Sequence, residues 1–577
     1  MTKIDSVHII GFRNFIDERI NFSNQTLIIG ANDIGKSNLI YAIRLLLDKN
    51  LSENDLNLSD NDYCAFSDKN RIEITLQLNE VREECLLARF KGHIKSDKLM
   101  IRYTIEKGKD YEIQCGYSEE TMDRYPVRFY LKALNLEYVD TKRDIQRLFK
   151  REKQSLLIES EESLDDEKRD EDLKKKIKLQ NDLNKVNEEL GALNYIKNSL
   201  TVVNEELKEL SYHHMGQELI FSAPNSDISS FLNNLNLGYV KDNQQLLLGG
   251  DGRNNQIFMA TWAAKQKKNL VNEECVTFFA IEEPEAHLHP QQQRKLSAYL
   301  KKQFETQVFI TSHSPYIGID FEPQNIVKLV EKNNKGSYAA QGGCSIKYKA
   351  IFDEFGYRLN VVTADLFFLN GVLLVEGQSE VILYKKLAEC LGIDLDYYNI
   401  AVLSVEGVGF GTYVNVCTSL EIPYVIRTDN DINEKELQGE RYYWLAGANR
   451  LALLYRKNLI ENATFIEKDE TINYEWKKIS DEKIIPADKQ TYLQELIVEF
   501  EKDNLYLADV DLENDLVHQI GESLEWDDNK IEKNIQKLQR KKATNMLEFV
   551  NNEDIDLSKI IGKPICKPLE KLKKIAL

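Results

Sequence analysis

Short apolar runs along the first part of the chain are separated by turn-forming residues, and this pattern predicts alternating strands and helices. TLIIG at 26–30 is an apolar run that ends at a glycine, and SNLIYAIRLLLD at 37–48 continues with helical spacing. RIEITLQL at 71–78 and YEIQC at 111–115 have the composition of further strands. We therefore predict that residues 1–48 form strands, a glycine-rich loop and a helix.

The character of the chain changes between about residue 150 and residue 218, where glycine and proline almost disappear and Lys, Glu, Asp and Leu dominate. Apolar residues recur there at alternating steps of three and four, the spacing of a coiled-coil or helical-hairpin seam. They are Leu183, Val186, Leu190, Leu193, Leu200, Val203, Leu207 and Leu210. Two interpretations stay open: an arm that packs on its own domain, or an arm through which two copies associate.

Strands and helices alternate again at 276–335, and a boundary is expected in the polar stretch near 345–365. Beyond it, the apolar runs VLLVE, IAVLSV and YVIRTD alternate with helical stretches. This alternation predicts a parallel α/β sheet.

Composition narrows the class of protein. The chain has 577 residues, a formal net charge of −19 and 8 cysteines without a C-x-x-C pair, so neither a zinc site nor a disulfide framework is indicated. The first residues carry no signal peptide and no run is apolar enough for a membrane helix, so we expect a cytoplasmic protein without membrane contact. The negative net charge argues against a protein whose surface is largely covered by nucleic acid, although residues 533–542 and the C-terminal tail are locally basic.

The sequence GANDIGKS at 30–37 matches the phosphate-binding loop pattern and lies between a predicted strand and a predicted helix. Its backbone N–H groups can surround phosphate oxygens, Lys36 adds positive charge, and Ser37 can hold Mg²⁺. The residues predicted to bind nucleotide in and beside this loop are Gly30, Asn32, Gly35, Lys36, Ser37 and Asn38.

Three later segments supply the other parts of a nucleotide site. VTFFAIEE at 276–283 is an apolar strand that ends in two carboxylates, where Glu282 would take the Mg²⁺ side and Glu283 would polarise water. An acidic helix start is the competing interpretation. A glycine-rich turn occupies 246–256, and VFIT at 308–311 precedes His313, which could reach a γ-phosphate.

This order of segments resembles the ABC-type ATPases of the RecF, SMC and OLD (overcoming lysogenization defect) class. FRNF, EEPEAHLHP and TSHSP are typical of that class. The resemblance implies a dimer in which the glycine-rich segment of one subunit caps the nucleotide of the other. Gly249 stands where the class has a serine, so nucleotide sensing is expected and fast hydrolysis is in doubt.

A second group of acidic residues lies at the ends of later strands. Glu376 ends VLLVE, Gly377 would permit a tight turn, and Glu380 follows in the first turn of a helix. In YVIRTDND, Asp429 and Asp431 would project to one side of an extended segment. Four carboxylates at neighbouring strand ends repel one another, and Mg²⁺ or Mn²⁺ would offset that repulsion.

These motifs resemble a Toprim domain, and VEGVG at 405–409 is similar to its glycine-rich turn. In OLD-family nucleases an acidic pair and a late lysine complete a two-metal site. The resemblance implies these roles for Asp511, Glu513 and Lys542, with Lys541 as the competing lysine. The metal ligands implied are Glu376, Glu380, Asp429, Asp431, Asp511 and Glu513, with Ser37 for the Mg²⁺ of ATP.

Nearly the whole chain resembles the OLD family, and within it the nuclease subunits of the Gabija anti-phage system. The implied architecture is an ABC-type ATPase domain at 1–150 and 219–345, a helical dimerisation insert at 151–218 and a Toprim domain at 346–577. The implied function is a metal-dependent endonuclease of double-stranded DNA that is regulated by ATP. A homo-oligomer, which is a tetramer in this family, and a helicase-like partner are also implied.

Two other functions are compatible with the motifs. One is a nucleotide-switched DNA-binding scaffold of the SMC or RecF kind. Such a scaffold does not need six acidic residues in one cluster, so the cluster argues against it. The other is a topoisomerase or primase. The chain lacks the cysteine pairs that many primases use for zinc, but its 27 tyrosines leave a covalent topoisomerase open.

Overall fold

The computed structural model describes residues 1–125, 128–140, 157–158, 160–210, 275–303, 306–331, 336–345, 365–406, 409–437, 440–459, 475–477 and 497–576, with short pieces between 228 and 260. The chain divides into two compact units. One contains Met1–Tyr138, Val276–Ile281 and Arg294–Leu577, and the other contains Val139–Cys275 and Glu282–Gln293. None of the described helices is long and apolar enough to cross a bilayer.

An antiparallel sheet, the first sheet, forms the beginning of the larger unit. Its strands, in spatial order, are Phe15–Asn21, Lys3–Phe12, Arg71–Asn79, Leu99–Glu106, Glu112–Gly116 and Asp123–Arg124. The short helices Glu53–Leu56 and Glu84–Arg89 belong to the same part of the chain. The strands predicted at 71–78 and 111–115 are confirmed to within one residue at each end.

The second sheet places the glycine-rich loop. Its strands lie in the order Ser337–Ala339, Ile326–Glu331, Gln25–Ile29, Val308–Thr311, Val276–Glu282 and Leu134–Val139. Gln25–Ile29 pairs in parallel with both Val308–Thr311 and Ile326–Glu331, and the loop leads from it into helix Lys36–Leu47. Helices Pro290–Gln303 and Pro315–Gly318 follow the later strands. The predicted strand–loop–helix arrangement is confirmed.

The third sheet is fully parallel, as the later apolar runs predicted. Its strands lie in the order Ile400–Ser404, Gly371–Val375, Tyr424–Thr428 and Leu505–Leu507. Every residue of Gly371–Val375 is buried, as expected for a parallel strand covered on both faces. The helices of this part are Gln378–Cys390, Phe410–Ser419, Ala446–Leu459, Leu512–Ser523, Asp528–Arg540, Lys542–Val550 and Lys567–Ala576. Antiparallel strands Ile432–Leu437, Glu440–Leu445 and Glu475–Lys477 form a separate small sheet.

The smaller unit contains the predicted helical arm, as helices Asp166–Ala192, Asn194–Ser199 and Thr201–Leu210, and a hairpin of Gly238–Lys241 with Gln244–Leu247. The helical seam predicted from the spacing is confirmed as helix. Val186, Leu190, Leu193 and Val203 are each at least 40% exposed. In the described part of the chain these four side chains are therefore not covered by their own domain.

Side chains from the second and third sheets meet at a junction within the larger unit. Lys328 donates a hydrogen bond from Nζ to the Leu369 carbonyl at 3.1 Å, although it is 5% exposed. Tyr338 donates to the Glu421 carboxylate at 2.7 Å, and the Gln341 backbone N–H donates to the same carboxylate at 3.0 Å. The strand that begins at Gly371 and the strand that begins at Tyr424 are therefore anchored, just before their first residues, to the second sheet.

Burial lowers the pKa of Lys328 to about 7, so this amine is neutral in the folded chain over a range where the unfolded chain keeps its proton. The unfolded state then binds more protons between about pH 7 and pH 10. The free energy of unfolding therefore rises with pH across that window, by at most about 1.4 kcal/mol per pH unit.

We predict that Lys328→Met flattens this rise, measured as the change in Tm between about pH 7 and pH 9. The exposed Lys559, changed to Met, is the matched control. A rise in Tm as steep in Lys328→Met as in wild type would contradict the prediction.

Candidate metal and nucleotide sites

The carboxyl ends of the third sheet's strands bring the predicted acidic residues to one edge. Glu376 directly follows Val375, and Asp429 directly follows Thr428 on the neighbouring strand. The Asp429 backbone N–H donates to Glu376 Oε1 at 3.0 Å, and the Thr428 hydroxyl donates to the same oxygen. Ligands of an open α/β sheet are expected at this edge.

Glu380 lies in the first turn of helix Gln378–Cys390, as predicted, and is 4% exposed. Ser379 donates to its Oε2 at 2.9 Å. Gly377 was predicted to permit a tight turn, but it does not lie in one. Its backbone is extended, with φ −144° and ψ −176°, a conformation that any residue adopts. The glycine instead leaves room for Glu380, because a Cβ at this position would lie 3.3 Å from Glu380 Oε2.

Asp429 and Asp431 lie just after the strand Tyr424–Thr428 and not within it. The strand ends at Thr428, and the Asn430 N–H bonds to the Val510 carbonyl at 3.0 Å, which fixes the loop. Asp429 is 3% exposed, whereas the side chain of Asp431 is 47% exposed. The two carboxylates therefore have different surroundings.

A buried arginine holds Asp429 in place. Arg427 donates to Asp429 Oδ1 at 2.9 Å and to Asp515 Oδ2 at 3.0 Å, and is itself 3% exposed. Asp515 lies on helix Leu512–Ser523, which also carries Glu513. Removing one member of such a buried group typically costs about 3–5 kcal/mol, so Arg427 fixes this helix against the strand end.

Burial raises the pKa of Asp429 to about 7. Arg427 opposes that shift, and the neighbouring Glu380 and Glu376 add to it. Burial also raises the pKa of Asp515 to about 6, again against the effect of Arg427. Carboxyl groups whose pKa is raised towards 7 by burial and by neighbouring carboxylates are typical of functional sites.

The remaining predicted ligands lie on the next segment of the chain. Asp511 caps helix Leu512–Ser523 by accepting from the Asn514 N–H at 2.7 Å, and its other oxygen accepts from Gln539 at 2.9 Å. Glu513 is fully buried, and in the described part of the chain neither of its carboxylate oxygens has a hydrogen-bond partner. Burial raises the pKa of Glu513, although Lys542 opposes the shift.

Lys542, one of the two competing lysines, lies at this edge. Its Nζ is 3.8 Å from Glu513 Oε2. Burial works to lower the pKa of Lys542, but Glu513, Asp429, Glu380 and Asp511 together raise it above its ordinary value. The structure therefore gathers most of the predicted carboxylates within electrostatic range of one lysine.

Sequence reasoning missed Arg450, a residue of helix Ala446–Leu459. Its guanidinium donates to Glu376 and, at 3.3 Å, to Asp431 Oδ2. Among the described residues, no three His, Cys, Asp or Glu side chains are grouped as ligands of one metal ion. A cation at Glu376 and Asp431 would have to displace the guanidinium.

The donor set nevertheless fits a divalent ion. Its members are carboxylates, the ligands that Mg²⁺ and Mn²⁺ prefer. In the described part of the chain the two buried oxygens of Glu513 accept no hydrogen bond, and Lys542 Nζ approaches Oε2 only to 3.8 Å, so a bound cation would satisfy them.

The nucleotide loop is built as its motif requires. Gly30 and Gly35 have φ of 148° and 102°, in the region that favours glycine. A Cβ on Gly35 would lie 1.9 Å from Asn14 Nδ2, and Asn14 donates that amide to the Ile34 carbonyl at 2.8 Å. Arg13 donates to Asn38 Oδ1 at 2.8 Å, so FRNF supports the loop from the first sheet.

Lys36 is buried and donates to the carbonyls of Gly30 and Ala31 at 2.9 and 2.7 Å. Ser37 and Asn32 are exposed at the loop surface. Glu282 ends the strand Val276–Glu282, and a turn follows, with helix Pro290–Gln303 beginning only at Pro290. The competing interpretation of Glu282 and Glu283 as a helix start is therefore wrong.

His313 is exposed just after strand Val308–Thr311. Within the glycine-rich stretch 246–256, Gly249 lies outside the described residues. Asn255, in the same stretch, is buried and donates to the carbonyls of Pro284 and Ala286, both at 2.9 Å. In VEGVG, residues 407 and 408 likewise lie outside the described residues.

Comparison with known proteins identifies the family of the chain. The chain belongs to the family described as AAA ATPase domain, whose model matches residues 2–123 and 117–317. Residues 367–431 match a second model, "Overcoming lysogenization defect protein-like, TOPRIM domain". The chain thus combines an ATPase domain with a later Toprim domain, in the predicted order.

Among relatives, the chain is 29% identical over 582 aligned positions to "Endonuclease GajA" of Bacillus cereus (strain VD045), with 95% of each chain covered. It is 31% identical over 166 positions to "OLD nuclease" of Thermus scotoductus, covering 26% of this chain and 30% of that protein. Among solved structures, the Smc head domain of Pyrococcus furiosus bound to the C-terminal domain of ScpA matches with a TM-score of 0.36 and 17% identity, covering 62% of this chain and 100% of that one.

We predict that Arg450→Gln binds Mn²⁺ more tightly than wild type, by about two- to fivefold, because a half-exposed ion pair is worth up to about 1 kcal/mol. Calorimetric titration of each protein with Mn²⁺ measures this. Arg82→Gln, which removes an exposed pair with Asp97 on the first sheet, is the control and should titrate like wild type. Unchanged or weaker binding by Arg450→Gln would show that the guanidinium does not compete with the ion.

Because Asp429 must lose its proton to bind a cation, we also predict that Mn²⁺ affinity rises with pH through about 7, by up to about tenfold per unit. The same titrations repeated between about pH 6 and pH 8 test it. Asp429→Asn should bind more weakly and lose the pH dependence. A wild-type affinity that is constant over this range would be inconsistent with the raised pKa.

Proposed function

We propose that this protein is a metal-dependent endonuclease that cuts double-stranded DNA under control of a nucleotide bound at its ATPase domain, as part of anti-phage defence. The observation that carries the proposal is the edge where Glu376, Glu380, Asp429 and Glu513 lie within electrostatic range of Lys542 or of one another. The match to "Endonuclease GajA" along 95% of the chain supports it.

We assign the carboxylates Glu376, Glu380, Asp429, Asp431, Asp511 and Glu513 to two ions, Mg²⁺ or Mn²⁺. Such ions supply an activated water and stabilise charge on the attacking and leaving oxygens of a phosphodiester. Lys542 would place its ammonium beside the phosphoryl oxygens, a position that its contact with Glu513 supports. Arg427 would hold Asp429 and the helix of Glu513 at a fixed separation.

The nucleotide site would bind ATP with Mg²⁺. Lys36, Asn38 and the backbone of the loop would contact phosphates, and Ser37 with Glu282 would hold the ion. Glu283 and His313 would lie near the γ-phosphate. Because Gly249 replaces the usual serine, we propose that this site senses nucleotide and hydrolyses it slowly. The contacts of Lys328 and of Tyr338 with the third-sheet region support a physical link between the two centres.

We also propose the domain limits 1–150, 151–218, 219–345 and 346–577, and assembly through the helical arm into a dimer and then a tetramer. The exposed apolar residues of the arm support the dimer. A GajB-like helicase partner, as in a Gabija system, would complete the assembly.

The pairing of Arg450 with Glu376 and Asp431 is the one observation that favours a second function, a nucleotide-switched DNA-binding scaffold without cleavage. In that case the arginine would be the permanent counter-charge of the edge. The edge would then stabilise the fold and carry out no chemistry.

A plasmid assay tests the two functions. Supercoiled plasmid is incubated with the protein and Mg²⁺ or Mn²⁺, with and without ATP. We predict metal-dependent nicking or cleavage that changes with ATP and falls by more than about a hundredfold in Glu376→Gln, because even residues that only support metal ligands contribute about 10- to 100-fold. Glu389→Gln, on the exposed side of the same helix, is the matched control and should cut like wild type.

Equal cleavage by Glu376→Gln and wild type would refute the site assignment. Binding of DNA without cleavage in any divalent ion, also in the presence of the helicase-like partner, would favour the scaffold.

A further inference from the structure

One face of helix Asp528–Arg540 is a row of cations. Lys530, Lys533, Lys537 and Arg540 are spaced by three, four and three residues, which places them within an arc of about 80° on an α-helix. We call these four residues the basic ridge. Ile531, Ile535 and Leu538 on another face of the helix pack against the core of the third sheet's domain, which leaves the ridge directed to solvent.

Few carboxylates in the described part of the chain pair with the four cations of the basic ridge. In the described part of the chain, Lys533 and Arg540 pair with no carboxylate, and both are exposed. Lys537 lies 3.3 Å from Glu548, but both side chains are more than half exposed, and such pairs are worth at most about 1 kcal/mol. Lys530 lies 4.3 Å from the centre of the Trp526 ring. A row of four cations with one weak ion pair among them is unexpected in a chain with a net charge of −19.

The ridge leads to the metal-site edge. Gln539, in the last turn of this helix, donates to Asp511 at 2.9 Å, and the next helix begins with Lys542, whose Nζ lies 3.8 Å from Glu513. From Lys530 to Arg540 the helix rises by about 15 Å, the length over which one strand of duplex DNA presents about four phosphates.

We propose that the basic ridge binds the phosphate backbone of double-stranded DNA and leads it to the carboxylate edge. This inference rests on the proposed nuclease function and adds the surface by which the substrate is held. Contacts of this kind position the duplex without reading its sequence.

The second basic segment of the chain serves as an internal comparison. Helix Lys567–Ala576 also carries lysines, but a Cβ on Gly371 would lie 3.0 Å from Ala576 Cβ. Gly371 begins the strand whose other end precedes Glu376. The end of this helix therefore lies at the opposite edge of the third sheet from the carboxylates.

The test compares Lys533→Gln/Arg540→Gln with Lys571→Gln/Lys574→Gln, which removes the same charge from the other segment. Binding of a fluorescent duplex oligonucleotide is measured in Ca²⁺ at several salt concentrations, and thermal unfolding shows that each variant is folded. If both ridge side chains contact phosphates, the slope of log Kobs against log salt becomes shallower by about 1.8, and affinity at low salt falls about tenfold or more. The other variant should keep the wild-type slope.

An unchanged slope in the ridge variant overturns the proposal, and so does an equal change in both variants, which would reflect net charge alone. Either result leaves the nuclease function intact if the wild type cuts plasmid with Mg²⁺ or Mn²⁺. If the wild type does not bind duplex DNA at all, both proposals fail.

Discussion

Mutual repulsion among carboxylates at one edge of a parallel sheet is the constraint around which the last third of the chain is arranged. Buried acidic groups at neighbouring strand ends are costly unless positive charge is close. The structure provides that charge from three different elements: Arg427 within a strand, Arg450 on a helix and Lys542 at a helix start. Each cation contacts a different part of the cluster: Arg427 contacts Asp429, Arg450 contacts Asp431, and Lys542 lies near Glu513.

Close packing around two glycines fixes the shape of the nucleotide-binding loop. Asn14 bonds the carbonyl of Ile34 and lies where any side chain on Gly35 would be. Gly30 is equally confined, because a Cβ there would lie 2.7 Å from the Leu329 carbonyl on the adjacent strand. The loop is therefore held by the first and second sheets before any phosphate is present, as expected for a binding site that is formed in advance.

The sequence predicted the elements that local pattern controls and missed contacts that cross long stretches of chain. The strand–loop–helix around Lys36, the parallel strands of the third sheet and the position of Glu380 follow from periodicity and turn residues. Arg450 meets Glu376 across 74 positions, and nothing in its own neighbourhood indicates that. A charged residue inside the apolar run YVIRT could have suggested a buried ion pair, because an arginine rarely occupies such a position alone. Asp429 and Asp431 follow the strand and do not lie within it, because the strand stops at Thr428.

The junction of Lys328 with Leu369, and of Tyr338 and Gln341 with Glu421, limits how freely the two halves can be exchanged in evolution or in engineering. A Toprim half taken from a relative would bring its own residue to position 421, and an ATPase half would bring its own residues to 328, 338 and 341. A mismatch would leave a buried amine or a carboxylate without its partner, a penalty of about 1–3 kcal/mol for each group. The two halves are thus expected to change together, so a functional chimera requires the junction residues to be transplanted as a set.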